Sequence, residues 1–235
     1  WEEWVDACQK ISNMDSDISP VIMDADHIAY LMTVLLADEN KAEAKEEGIK
    51  TDAVAFTQML EKIKNISQYA VLEADYTYRD TLSAFNDGKS GIYINGVWAN
   101  SMINSDIKVA YAPFPSADGK GIAAQSACIG YIMGNTGDEK RMQASKEFLK
   151  YMLSEETALQ ILEKTGQIPS NPNIEITEKT AGERLVQAVT ALKKAGMNVE
   201  IPENLWDLSK KKEYGKNVIL FLQGQISTQE LRRRL

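Results

Sequence analysis

Short apolar runs alternate with helical patterns along the whole chain, and this alternation restricts it to an α/β fold. Pro20-Val21-Ile22-Met23 reads as a buried strand, and Gly91-Ile92-Tyr93-Ile94 as another. Residues 107–111 alternate like a third strand, and 126–133 form an apolar run that ends at Gly134-Asn135-Thr136-Gly137. Helical stretches lie between them. Trp1, Trp4, Cys8 and Ile11 share one face of a helix over 1–11, and residues 28–36 read as an apolar helix. Thr51-Asp52 predicts the cap of a helix whose apolar face includes Val54, Leu60 and Ile63. A short helix ends at Asn86-Asp87-Gly88, and helices are expected over 138–153, 155–165 and 181–195. The last stretch is helical with a break at 224–228, where Ser227 or Thr228 can cap the final helix. Residues 38–50 read as a surface excursion, 70–78 as a polar aromatic loop and 201–206 as a Pro-containing loop.

A length of 235 residues fits one large domain or two small ones. With 26 Lys+Arg against 34 Asp+Glu the formal charge is −8, so the chain repels phosphate backbones and no nucleic-acid partner is expected. Arg232-Arg233-Arg234 is read as a solvated helix end. No apolar run approaches the roughly 20 residues that a membrane helix needs. The chain opens on Trp1-Glu2-Glu3-Trp4 with no signal-peptide pattern, and an amphipathic helix at residue 1 implies a segment upstream.

Few residues of the chain form a pattern that carries catalytic chemistry. His27 is the only histidine, and there is no G-x-S-x-G elbow, P-loop or G-x-G-x-x-G. Asp24-Ala25-Asp26-His27 is too loosely spaced for a metal site, and short Asp-rich turns serve as caps. Cys8 and Cys128 cannot build a zinc site between them; each lies in an apolar context, as a buried thiol or as half of a pair. No catalytic residue, metal or cofactor is therefore expected. Carboxylate pairs are plentiful in an acidic chain and cannot by themselves identify a glycosidase.

Aromatic side chains in loops carry more information. Trp98 follows Asn95-Gly96 directly after a strand, Tyr30 follows the Asp24–His27 turn, Tyr78 sits in a polar segment with Glu73, Asp75 and Tyr76, and Trp206 lies in a Pro-bounded loop. Open α/β sheets bind ligands beyond their strand ends. Aromatic faces stack on the C–H faces of sugars while Asp, Glu and Asn bond the hydroxyls. Core packing explains Trp98 equally well, and it explains Trp206 and Tyr30 somewhat better.

The order of motifs resembles the extracellular solute-binding proteins of ABC importers, in the carbohydrate-binding family that includes maltose-binding protein. Ala84-Phe85-Asn86-Asp87-Gly88-Lys89-Ser90-Gly91-Ile92-Tyr93-Ile94-Asn95-Gly96-Val97-Trp98-Ala99 is similar to that family's most specific signature. The opening Trp1-Glu2-Glu3-Trp4, the helix Ala144–Met152 and the link Gly166-Gln167-Ile168-Pro169 match further pieces in the same order, and the resemblance covers essentially the whole chain.

The resemblance implies a periplasmic-binding-protein-like type II fold, with two lobes that clamp a sugar. It implies that residues 1–125 and 177–235 form the C-terminal lobe, that 126–176 return to the N-terminal lobe, and that the first stretch of the N-terminal lobe has no counterpart here. It implies a carbohydrate ligand, the permease subunits of an ABC transporter as partner, a monomer, and an extracytoplasmic location in the periplasm or as a lipoprotein. Carried over by residue, Trp98 stacks on the sugar, with Tyr78 and Tyr30 bordering the cleft and Trp206 near the family's late aromatic; His27, Asp24, Asp75 and Asn95 are the candidate polar contacts beside them. Where the family has an acidic residue just before the aromatic at 30, this chain has Ile28 and Ala29. Two alternatives stand beside a sugar carrier: a binder of a polyamine or phosphate ester, and a glycan-active enzyme using Glu73 and Asp75.

Overall fold

The computed structural model describes residues 1–15, 17–39, 44–45, 48–125 and 130–235. Helix α1 (Glu2–Met14) turns Trp4 and Cys8 inward, as their spacing requires. Strand β1 (Ser19–Met23) follows and buries Val21 and Met23 completely. Helix α2 begins at once (Ala25–Glu39), three residues before the expected start, because Asp24 supplies the acceptor for its first turn. Its residues Ile28, Ala29, Leu31, Met32, Leu35 and Leu36 are all fully buried. A helix apolar on all sides must be enclosed on all sides.

The enclosure comes from helices distant in sequence. Helix α3 (Val54–Ser67) buries Phe56, Met59, Ile63 and Ile66 at helical spacing. Its N-cap is Ala53 and not the expected Thr51-Asp52 pair, and Val54 is exposed on the far side from this apolar face. Between α2 and α3, the excursion forms short antiparallel strands β2 (Ala44–Lys45) and β3 (Gly48–Ile49).

Two more strands flank β1. The stretch expected to be loop from residue 70 begins as strand β4 (Ala70–Leu72), and helix α4 (Tyr78–Asn86) then leads to β5 (Ser90–Ile92). The order is β4-β1-β5, with both neighbours parallel to β1. Crossovers through α2–α3 and α4 therefore put the strands' C-terminal ends on one edge, where Asp24, Glu73 and Tyr93 emerge.

After β5 the chain makes a 3₁₀ turn (Val97–Ser101), and strand β6 follows at Ile122–Gln125. The expected strand over 107–111 does not form. Arg184 takes the carbonyls of Ile103, Asn104, Ser105 and Ile107 and holds this stretch away from a ladder. The run over 126–133 lies outside the described residues at 126–129, and 130–133 form no strand.

Helices α5 (Glu139–Met152) and α6 (Glu155–Thr165) match expectation, α6 closing on Gly166 in the left-handed region. Helix α7 (Glu178–Lys193) starts three residues early and breaks its regularity at Gly182, whose φ is 76°. Strand β7 (Met197–Glu200), not expected, pairs in parallel with β6. Helix α8 (Pro202–Leu205) is one turn long, α9 (Leu208–Leu222) packs along α2, and α10 (Thr228–Arg234) starts at a Ser227 cap.

The main core joins α1, α2, α3, β1, α9 and α10, and Cys8 lies inside it as a free thiol. Burial pushes the Cys8 pKa up to about 11. Cys128 lies outside the described residues. A second, smaller cluster gathers Leu162, Ile174 and Leu185, with Val97 packed against it. The 3₁₀ turn thus has an anchor of its own, apart from the main core.

Candidate functional site

The site is built where α4 begins and β5 ends. A capping box fixes the start of α4: Thr77 and Asp80 bond each other's backbone N–H. The Asp80 carboxyl is held below its usual range by the Thr77 hydroxyl and N–H. This fixes the position of Tyr78, the first residue of the helix, whose side chain is 38% exposed.

Strand β5 feeds Tyr93 and Ile94 into the same corner. The Tyr93 ring stacks on Phe85 of α4, with centroids 5.3 Å apart and planes 21° apart. Asn95 donates from Nδ2 to the Tyr93 hydroxyl at 2.6 Å and accepts the Gly96 N–H on Oδ1 at 2.8 Å. Trp98 comes next. Val97 packs toward the second cluster and Ala99 is buried, so the turn between them presents the indole outward, 36% exposed. The ring folds back over Gly96, where a β-carbon would lie 2.2 Å from it. Only glycine leaves room for this pose.

Polar groups edge the indole. Burial raises the Tyr78 hydroxyl pKa, and hydrogen bonds with Tyr93, Asn95 and Trp98 offset part of that rise. Burial raises Tyr93 further, reinforced by its neighbour Tyr78. Both hydroxyls are neutral donors and acceptors at ordinary pH. The result is a flat apolar face with neutral hydrogen-bonding groups at its rim.

Asp24 and His27 lie beneath this ledge, 3% and 4% exposed. The Asp24 carboxylate sits 2.9 Å from His27 Nδ1 and accepts the His27 backbone N–H at 2.9 Å. Burial would raise the Asp24 pKa, but the hydrogen bonds and charge of His27 outweigh it and the pKa is lowered. The other ring nitrogen of His27 meets the Ile94 carbonyl at 2.8 Å, and the ring lies against Tyr93 at 6.4 Å.

The remaining candidates lie elsewhere. Tyr30 is half-buried under the Lys211 ammonium at 5.3 Å, and Lys211 pairs with Asp26 at 3.4 Å. Trp206 is 3% exposed and sits edge-on against Tyr214 at 5.1 Å, inside the main core. Asp75 is exposed and paired with Lys216 at 2.9 Å. Sequence reasoning placed Tyr78, Asn95 and Trp98 among the candidates, and the fold brings them together. It missed Phe85 and Tyr93, which complete the ledge; Tyr93 was legible only as one residue of a strand. Among the described residues no group of His, Cys, Asp and Glu could hold a metal, and no helix is long and apolar enough to cross a membrane.

Residues 1–188 match the bacterial extracellular solute-binding protein family. The chain belongs to that family. Solved structures agree on the fold. A Streptococcus pneumoniae solute-binding protein, solved in complex with the blood group A-trisaccharide, superimposes with a TM-score of 0.76 at 21% identity, over 98% of this chain and 61% of that one. A maltose-bound MalE3 of T. maritima gives 0.73 at 18% identity, over 100% and 63%. A chitin oligosaccharide binding protein gives 0.76 at 17%, over 99% and 62%. This solute-binding chain therefore spans about 61–63% of the length of these structures. No curated protein matches it significantly.

Proposed function

We propose that this chain is the ligand-holding part of a non-catalytic binding protein that captures a sugar or oligosaccharide for an ABC importer. The observation that carries the reading is the exposed indole of Trp98, rimmed by the neutral groups of Tyr78, Tyr93 and Asn95. Stacking against a sugar's C–H face with hydrogen bonds at the edge suits a neutral, hydroxyl-rich ligand. Three neighbours at the level of fold carry sugars or sugar names, which supports the same ligand class. No comparable observation favours the alternatives: Asp75 is exposed and meets Lys216 in a surface ion pair at 2.9 Å.

The carrier works outside the cytoplasm as a monomer and hands its sugar to the permease subunits. Residues 1–125 and 177–235 form one lobe and 126–176 return to the other, and the lobes close around the sugar by a hinge. The division rests on the family resemblance, and α5 supports it, since none of its residues is buried. Helix α6 nevertheless packs on α7 across the 176/177 boundary through Leu162 and Leu185.

A thermal-shift screen tests the reading. The protein is heated with maltose, chitobiose, the blood group A-trisaccharide, spermidine and glucose 6-phosphate. An oligosaccharide at 100 times its Kd should add about 2.7 kcal/mol of stability. A shift with spermidine or the phosphate ester alone would overturn the sugar assignment, and turnover of a chromogenic glycoside would overturn the non-catalytic one.

A further inference from the structure

Ile94 is the last residue before the turn that carries Asn95, Gly96 and Trp98. Strand β5 ends at Ile92, so the Ile94 carbonyl has left the ladder. Ile94 is 9% exposed, and a buried carbonyl needs a donor. The donor is His27 Nε2, at 2.8 Å and 67 residues away in sequence.

A carbonyl can only accept, so Nε2 carries a proton. The opposite nitrogen, Nδ1, is fixed at 2.9 Å from the Asp24 carboxylate, and Asp24 also holds the His27 backbone N–H. The ring is pinned at both ends and from behind. Its position is set by the first turn of α2, the most completely buried helix of the fold. The Tyr93 ring, which stacks on Phe85 and receives the Asn95 amide, leans against the same imidazole.

We propose that His27 is the positioning residue of the ligand ledge: its Nε2–H ties the backbone at Ile94 to the start of α2 and so sets the height and tilt of Trp98. The proposal rests on the reading of Trp98 as the ligand platform. His27 never touches the ligand. It transfers the rigidity of the core to a turn that is otherwise held by the Val97 contact with the second cluster, the bond from Tyr111 to Asn100 and the bond from Asn95 to Tyr93.

A side chain that merely filled space at 27 could be replaced by any residue of similar volume. A positioning donor can be replaced only by another donor of the same reach. Gln places its amide nitrogen near the Nε2 position, Asn reaches only as far as Nδ1, and Leu offers no donor. The four tryptophans allow a direct reading, since each indole N–H gives one NMR signal and Trp98→Phe identifies that of Trp98.

In ¹⁵N-labelled protein, His27→Leu and His27→Asn should move or broaden the Trp98 indole signal and leave that of Trp206 in place. His27→Gln should restore it. Calorimetry with the tightest-binding of maltose, chitobiose and the blood group A-trisaccharide should follow the same order, with about tenfold weaker binding for Leu and Asn than for Gln. An unchanged Trp98 signal in His27→Leu overturns the proposal, as do equal effects of Gln and Asn or a common shift of all four indoles. The unsubstituted protein gives a check that needs no variant. The lone histidine must show a protonated Nε2 protected from exchange, and a bare Nε2 overturns the proposal. If no sugar perturbs the Trp98 signal of the unsubstituted protein, the sugar reading fails, while the dependence of that signal on residue 27 is still read.

Discussion

The indole of Trp98 lies over the α-carbon of Gly96, so closely that a β-carbon there would stand 2.2 Å from the ring. Gly96 has an ordinary backbone conformation, with φ at −86°. Its requirement for glycine is a matter of space above the chain. The two residues act as one unit, in which the absent side chain makes the seat for the large one.

Gly96→Ala should therefore tilt the indole away while leaving the fold intact, because the end of a side chain yields more easily than backbone. Ligand affinity should fall by about 1 kcal/mol or more, the scale of one well-placed aromatic contact. Intrinsic fluorescence and calorimetry together read this, and unchanged values for both would show that the ring does not depend on its seat.

Gly215 presents the opposite case. A β-carbon on it would meet the Ala25 carbonyl oxygen at 1.9 Å, where α9 crosses the start of α2. Backbone must move to admit it. Gly215→Ala should cost about 1–3 kcal/mol or more, as overpacking does. A urea melt should show a lower midpoint with little change in slope.

Asp24 carries a pH signature. Its lowered pKa means that the folded chain binds this proton more weakly than the unfolded chain. Its contribution is full above the ordinary value of 3.8 and fades as pH falls through the lower folded value. Asp24→Asn should lose roughly 1.5–3 kcal/mol at pH 7, the worth of hydrogen bonds to a charged group, and clearly less at pH 3. A gap independent of pH would mean that the carboxylate's charge plays no part.

Arg184 should govern the mobility of the chain that follows Trp98. Its guanidinium holds the carbonyls of Asn104 at 3.0 Å and Ser105 at 2.8 Å, along with those of Ile103 and Ile107. Arg184→Met keeps the stem and removes every donor. Amide exchange over 103–109 should accelerate by about tenfold, corresponding to roughly 1.4 kcal/mol, and exchange in β1 should be unaffected.

The legible parts of this fold are those whose signal is local. The apolar run at β1, the periodicity of α5 and α6, and the Gly166 and Ser227 boundaries follow from neighbouring residues alone. Strands β4 and β7 were missed because each is short and takes its partner from a distant strand. Residues 107–111 alternate like a strand, but Arg184, far along the chain, claims the carbonyls. The ledge divides in the same way. Tyr78, Asn95 and Trp98 were legible as polar or aromatic residues at element ends. Tyr93 looked like any strand residue, and the burial of Trp206 follows from its packing on Tyr214 of α9. Neither packing has a sequence pattern of its own.

The central claim is that the exposed indole of Trp98 holds a sugar, and calorimetry on Trp98→Ala tests it most directly. The protein carrying this chain is titrated with whichever of maltose, chitobiose and the blood group A-trisaccharide it binds, before and after the substitution. The account predicts weaker binding by about 1–3 kcal/mol, roughly five- to 150-fold, with an unchanged circular dichroism spectrum. Equal affinity in the two proteins would remove Trp98 from the site and contradict the account.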